Sequence, residues 1–213
     1  MTKKLSFDRT NRRGFLRTGI VGGAGLVVAQ FAAPKKLFAQ TNSWSSQVIQ
    51  SSDDAEMFDV NGIMNLTSPT VNVQLNGYES GFRYQNVPVP NSATITQASV
   101  TFFTPSTPAI GSCPVYLQAA DNPPTFTTAH FDLRRPHTVN FAAYVANGVG
   151  WATSADLSAA VQEVVNRPGW APGNAMVLLC IPDIDDSFDN VATYDYEPGP
   201  PPNYSPIFSI EWT

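Results

Sequence analysis

The chain has 213 residues, 43% of them hydrophobic and 14% charged, with 18 prolines and 14 glycines. That composition excludes a coiled coil, a highly charged disordered chain and an ordinary helix bundle, and the length points to one domain behind a terminal segment. The net charge of −5 hides a partition: eight of twelve basic residues lie in the first 40 positions, leaving four arginines against sixteen acids, a net −12, in the rest. An acidic, lysine-free body repels a phosphate backbone, which excludes nucleic acid as a partner, and it attracts cations instead.

Residues 1–39 have the layout of an export signal, with a basic start, an apolar stretch from Gly19 to Ala33 and small residues near Ala39, where cleavage is expected. The apolar stretch is short and glycine-rich, below the roughly 18 strongly apolar residues of a comfortable membrane span. Within the leader, Asn11-Arg12-Arg13-Gly14-Phe15-Leu16-Arg17 resembles the twin-arginine export motif, carried by Arg12 and Arg13. The resemblance implies the twin-arginine translocase of a prokaryote as a partner during export, and a periplasmic, cell-surface or extracellular destination.

From residue 44 to 213 the apolar residues recur in short alternating or continuous runs bounded by Gly, Pro, Asn and Ser, the signature of strands. The runs are Val71 to Leu75 before an Asn76-Gly77 turn, Gly81 to Val87, Ala98 to Thr104 and Val115 to Ala120, followed by Val139 to Tyr144, Met176 to Ile181, Asn190 to Tyr194 and Ile207 to Trp212. Their spacing predicts a mainly β domain, a two-sheet antiparallel β-sandwich of jelly-roll type. One segment has helical period: Leu157, Val161, Val164 and Val165 share a face, which predicts a helix over about 156–167 with Ser154 or Asp156 as N-cap. Pro168 and Gly169 stop it, Glu163 and Gln162 are expected on its solvated side, and Trp170 reads as a plug sealing it against a sheet.

Several groups carry candidate chemistry. Two acidic clusters, Asp53, Asp54 and Glu56 with Asp59, and Asp183, Asp185, Asp186 and Asp189 with Asp195, supply the carboxylates that calcium needs among its six to eight oxygen ligands. The alternative for both is a solvated acidic loop. Cys113 and Cys180 sit in strand-like runs, and an exported chain permits either a disulfide between them or two separate buried thiols. His130 and His137 flank Asp132, Arg134 and Arg135, a base–carboxylate–cation grouping in outline, although no Gly-x-Ser-x-Gly elbow accompanies it. Among the aromatic residues that can stack on sugar faces, Tyr194, Tyr196 and Tyr204 border the acidic and proline-rich loops and are the expected exposed platform.

Three segments carry a resemblance over most of residues 47–213. Ser51-Ser-Asp-Asp-Ala-Glu56, Gly81 to Thr96 and the stretch from Asp156 to Trp170 resemble an uncharacterised β-sandwich module of exported bacterial proteins, itself loosely similar to non-catalytic carbohydrate-binding modules. The resemblance implies an accessory or adhesive module. The expected function is therefore non-enzymatic binding of an extracellular polysaccharide, with calcium as a stabilising ion. The alternatives are a subunit of an extracellular or cell-envelope assembly, built from copies of itself, and a secreted hydrolase.

Overall fold

The computed structural model describes residues 40–58, 61–74, 77–105, 110–182, 191–194 and 204–213. Two compact units divide the chain, Met1–Leu37 and Phe38–Thr213. The first, with Arg12 and Arg13, lies outside the described residues.

In chain order the second unit contains β1 (Asn42–Gln47), a 3-10 turn (Ser51–Asp53), β2 (Asp54–Phe58), β3 (Ile63–Asn65), β4 (Thr70–Gln74), β5 (Tyr78–Tyr84), β6 (Ile95–Thr104) and β7 (Ile110–Gln118). It continues through β8 (His137–Asn147), β9 (Gly150–Thr153), α1 (Ser158–Val165), β10 (Met176–Cys180), β11 (Val191–Tyr194) and β12 (Ile207–Trp212). One sheet has the order β1-β12-β6-β9, a second β3-β2-β5-β10-β7-β8, and β11 pairs with β4 alone. Every pairing is antiparallel. With β2, β3, β4 and β11 set aside, the remaining eight strands fall in the chain order first-eighth-third-sixth and second-seventh-fourth-fifth. That is the double Greek key of a jelly roll, as the sequence predicts.

Period-2 alternation decides what faces the interior. On β6, Ala98, Val100 and Phe102 point inward, and Phe102 meets Phe82 of β5 at 5.4 Å and Tyr144 of β8 at 4.7 Å between ring centroids. A smaller core lies on the opposite face of the six-stranded sheet, where Phe126 and Leu133 from the 119–136 connection cover Ala55, Met57, Val177 and Leu179. Burial of this second face explains why β10 is apolar at all five positions rather than alternating.

Helix α1 packs on β6, β7 and β8, burying Ala160, Val161, Val164 and Val165. It starts at Ser158, two residues later than predicted, and neither proposed cap closes its first turn in the expected way. Asp156 bonds the Ser158 N–H at 3.0 Å, its hydroxyl at 2.7 Å and the Ala98 N–H at 3.1 Å, stapling the helix start to β6. Ser154 accepts from the Val100 N–H instead. Gln162 and Glu163 are also not merely solvated. Gln162 bonds the backbone at Ile95 and Ala93, and Glu163 accepts from the Val139 and Asn140 N–H groups, 3.0 and 2.8 Å away, on the outer edge of β8. Trp170 is a plug, 3% exposed, with its indole N–H donated to the Val89 carbonyl at 2.9 Å.

Candidate ligand-binding face

The outward phase of β6 runs Ser99, Thr101, Phe103, so an aromatic ring stands in a series of hydroxyls. Register brings Trp151 of β9 opposite Phe103, with ring centroids 5.2 Å apart and nearly perpendicular at 74°. Tyr204, just before β12, stacks on Phe103 at 4.3 Å and 33° and lies 6.0 Å from Trp151. Trp151 remains 45% exposed. The three rings form an aromatic corner at one end of the outer face of the four-stranded sheet.

The rest of that face is rich in hydroxyls, with Ile207 standing between Gln47 and Thr101. Ser45, Ser209 and Ser99 form a row across β1, β12 and β6, and Ser45 and Ser209 hydrogen-bond each other at 3.0 Å. Thr101 and Thr153 form the next pair towards the corner, with hydroxyls 2.9 Å apart. Each hydroxyl offers one donor and two acceptor sites, so these bonds leave capacity for a ligand. Chemically, the face offers apolar ring surface beside donors and acceptors of both kinds, the pairing that a sugar's C–H face and hydroxyl rim require.

Of the acidic residues proposed for calcium, Asp53, Asp54 and Glu56 are described, and Asp53 is engaged on a different side of the sheet from the other two. Asp53 is fully buried at the six-stranded sheet's outer side, where it pairs with Arg83 Nη1 at 2.8 Å and accepts from Gln85 and Thr125. Asp54 and Glu56 take the other phase of β2 and face the interior alongside Phe82 and Ser80. The Glu56 carboxylate accepts from Asn65 Nδ2 at 3.1 Å and from the backbone and side chain of Asn72 at 3.1 and 2.7 Å, tying β2 to β3 and β4. Tyr84 stands near Asp54. Burial above all, then the proximity of Cys180 and Asp54, pushes its phenol well above the ordinary value, and its hydroxyl donates to the Pro206 carbonyl. Among the described residues, no three His, Cys, Asp or Glu gather as a metal would need. Asp183, Asp185, Asp186, Asp189, Asp195 and Tyr196 lie outside the described residues, as does the side chain of Tyr194.

The register also bears on the cysteines. Cys180 stands opposite Val115, which makes Cys113 its diagonal neighbour on the core face. Diagonal neighbours lie about 7–8 Å apart, outside the roughly 4.4–6.8 Å that a disulfide spans. Both residues are buried free thiols, the second of the two alternatives that the sequence leaves open.

No protein-family model matches the chain, and no curated protein matches it. The site therefore rests on its own geometry. His137 bonds the Thr138 carbonyl and packs on Tyr116, while Asp132 accepts from Thr127 and Arg135, so this carboxylate is engaged within its own loop. Of the expected platform, Tyr204 belongs to the aromatic corner. Its partners Phe103 and Trp151 come from strands that sequence reading does not pair, although an aromatic in the hydroxyl phase of the Ala98 to Thr104 run was a visible signal of an exposed ring.

Proposed function

We propose that the protein is an exported, non-enzymatic module that binds an extracellular polysaccharide on the outer face of its four-stranded sheet. The observation that carries the reading is the corner in which exposed Trp151 packs with half-buried Phe103 and Tyr204 beside rows of serine and threonine hydroxyls. Rings fixed by mutual packing lose little freedom on binding, and the open face of a sheet suits an extended polymer better than a small molecule, which prefers a concavity. Export rests on the leader with Arg12 and Arg13. Calcium enters the proposal only through Asp183, Asp185, Asp186, Asp189 and Asp195, because Asp53 and Glu56 are already satisfied by protein donors.

Retention of the full-length chain on a panel of soluble and insoluble glycans tests the reading. Covering about 60 Å² of indole at roughly 25 cal/mol per Å² contributes about 1.5 kcal/mol, so Trp151→Ala should weaken binding about tenfold. Absence of retention on every glycan, by a folded chain, would refute it.

A second reading, a subunit of an extracellular assembly, is favoured by the exposure of Val139 (86%) and Phe141 (54%) on the outer face of β8. Exposed apolar surface of this kind commonly marks an interface. Sizing chromatography separates the two: large ordered oligomers support assembly, and a monomer at high concentration argues against it.

A further inference from the structure

We propose, resting on the polysaccharide reading above, that the ligand is uncharged, and that its chain runs across the strands from the Trp151 corner along the Ser99, Ser209 and Ser45 row. The cations that remain once the expected leader is removed can all be placed. After residue 40 the chain has no lysine and four arginines, and all four are described. Arg83 is paired with Asp53 at 2.8 Å, Arg135 with Asp132 at 2.8 Å and Arg167 with Asp121 at 2.6 Å. Arg134 lies over the Phe131 ring at 4.3 Å, with Glu79 at 3.9 Å. None of the four, and neither His130 nor His137, belongs to a strand of the four-stranded sheet.

The only charged side chain on the described strands of that sheet is Glu211, exposed at the end of the face away from the aromatic corner. A uronate or sulfated polymer would bring anions to a surface with no cation to meet them and one carboxylate to repel them, within a body of net charge −12. Neutral sugar hydroxyls need no counter-charge, and the serine and threonine hydroxyls supply both donors and acceptors for them. The serine row spans three strands, about 10 Å at the usual strand spacing, so more than one sugar is engaged beyond the ring stack.

The test is affinity electrophoresis of the chain from Gln40 onward, without the eight basic residues of the leader, in chelator, through gels holding a neutral β-glucan or galactomannan, or polygalacturonate or alginate, at about 0.02 and 0.5 M salt, limits between which screening changes strongly. The expected result is retardation by a neutral glycan, equal at both salts, and at least tenfold weaker retardation by either uronate polymer. Trp151→Ala and Tyr204→Ala should each lose the neutral retardation while still unfolding in one cooperative thermal transition, and Ser209→Lys should gain retardation by polygalacturonate. Wild-type retardation by a uronate polymer that Trp151→Ala abolishes would overturn the neutral-ligand inference and leave the aromatic platform standing. Neutral retardation untouched by both aromatic variants would overturn the platform, and the inference with it.

Discussion

Replacing Asp53 by Asn separates an ion-pair role from a cation-ligand role. Asp53 is 0% exposed and its partner Arg83 15% exposed, so the pair sits where screening is weak. Asn keeps the shape and one acceptor oxygen, but it removes the charge and turns an N–H₂ group towards donors, since Arg83, Gln85 and Thr125 all donate to this carboxylate. A hydrogen bond to a charged group contributes about 1.5–3 kcal/mol, and breaking a buried pair costs about 3–5 kcal/mol, so a loss of about 3 kcal/mol is expected for this shape-conserving change. At roughly 2–4 °C per kcal/mol the melting temperature should fall by about 6–12 °C. Thermal unfolding is run in chelator and in millimolar calcium, and the fall should be the same in both. The Asp53→Asn, Arg83→Met double variant should lose less than the sum of the singles by about 1–3 kcal/mol. A fall seen only with calcium, or one below about 1 kcal/mol in either buffer, would refute the ion-pair account.

Three further outcomes follow from the packing. Burial raises the Glu163 carboxyl, but the Asn140 and Val139 N–H groups and the Asn140 side-chain amide outweigh it and hold the group below its usual 4.5. Because the folded value is depressed, the stabilisation is complete above the unfolded value and fades as pH falls through the folded one. The melting-temperature gap between wild type and Glu163→Gln should therefore be widest near neutrality and close below about pH 4.5, and a gap constant down to strong acid would contradict it. At Gly81 an added Cβ would lie 2.6 Å from both Leu133 Cδ2 and Phe126 Cζ, so Gly81→Ala should cost about 1–3 kcal/mol and speed proteolysis within 119–136; unchanged protection there would count against the second core. Cys113 and Cys180 should resist a thiol reagent in native buffer and both react in denaturant, whereas a denatured, unreduced chain lacking reactive thiols would restore the disulfide.

The jelly roll was legible where burial on one face writes alternation into the sequence, as along Ala98 to Thr104 and Ile207 to Trp212. It was hidden where polar residues occupy strands. β1 is Asn-Ser-Trp-Ser-Ser-Gln, whose outer positions face water, and β2 begins Asp-Ala-Glu directly after Asp53, a stretch that reads as an acidic loop until Arg83 is seen to pair with Asp53, and Asn65 and Asn72 to bond Glu56. Adjacent acids in a sequence do not show which of them share a face: Asp53 ends the 3-10 turn and pairs with Arg83, whereas Asp54 and Glu56 lie on the inner phase of β2. The aromatic corner needed pairing between β6 and β9, 48 residues apart at Phe103 and Trp151, and no local pattern specifies that register. Glu163 looked solvated for a similar reason, since its partners lie on β8.

The most direct test of the account is nuclear magnetic resonance mapping of the neutral glycan that retards the chain most, added as a soluble oligosaccharide. With four tryptophans, the indole N–H signals are individually followed. The account predicts that the Trp151 indole and backbone amides of β6, β9 and β12 shift in a saturable way, while the buried Trp170 indole, bonded to Val89, does not move. Saturable shifts confined to the outer face of β8 or to residues 119–136, with Trp151 unmoved, would contradict it.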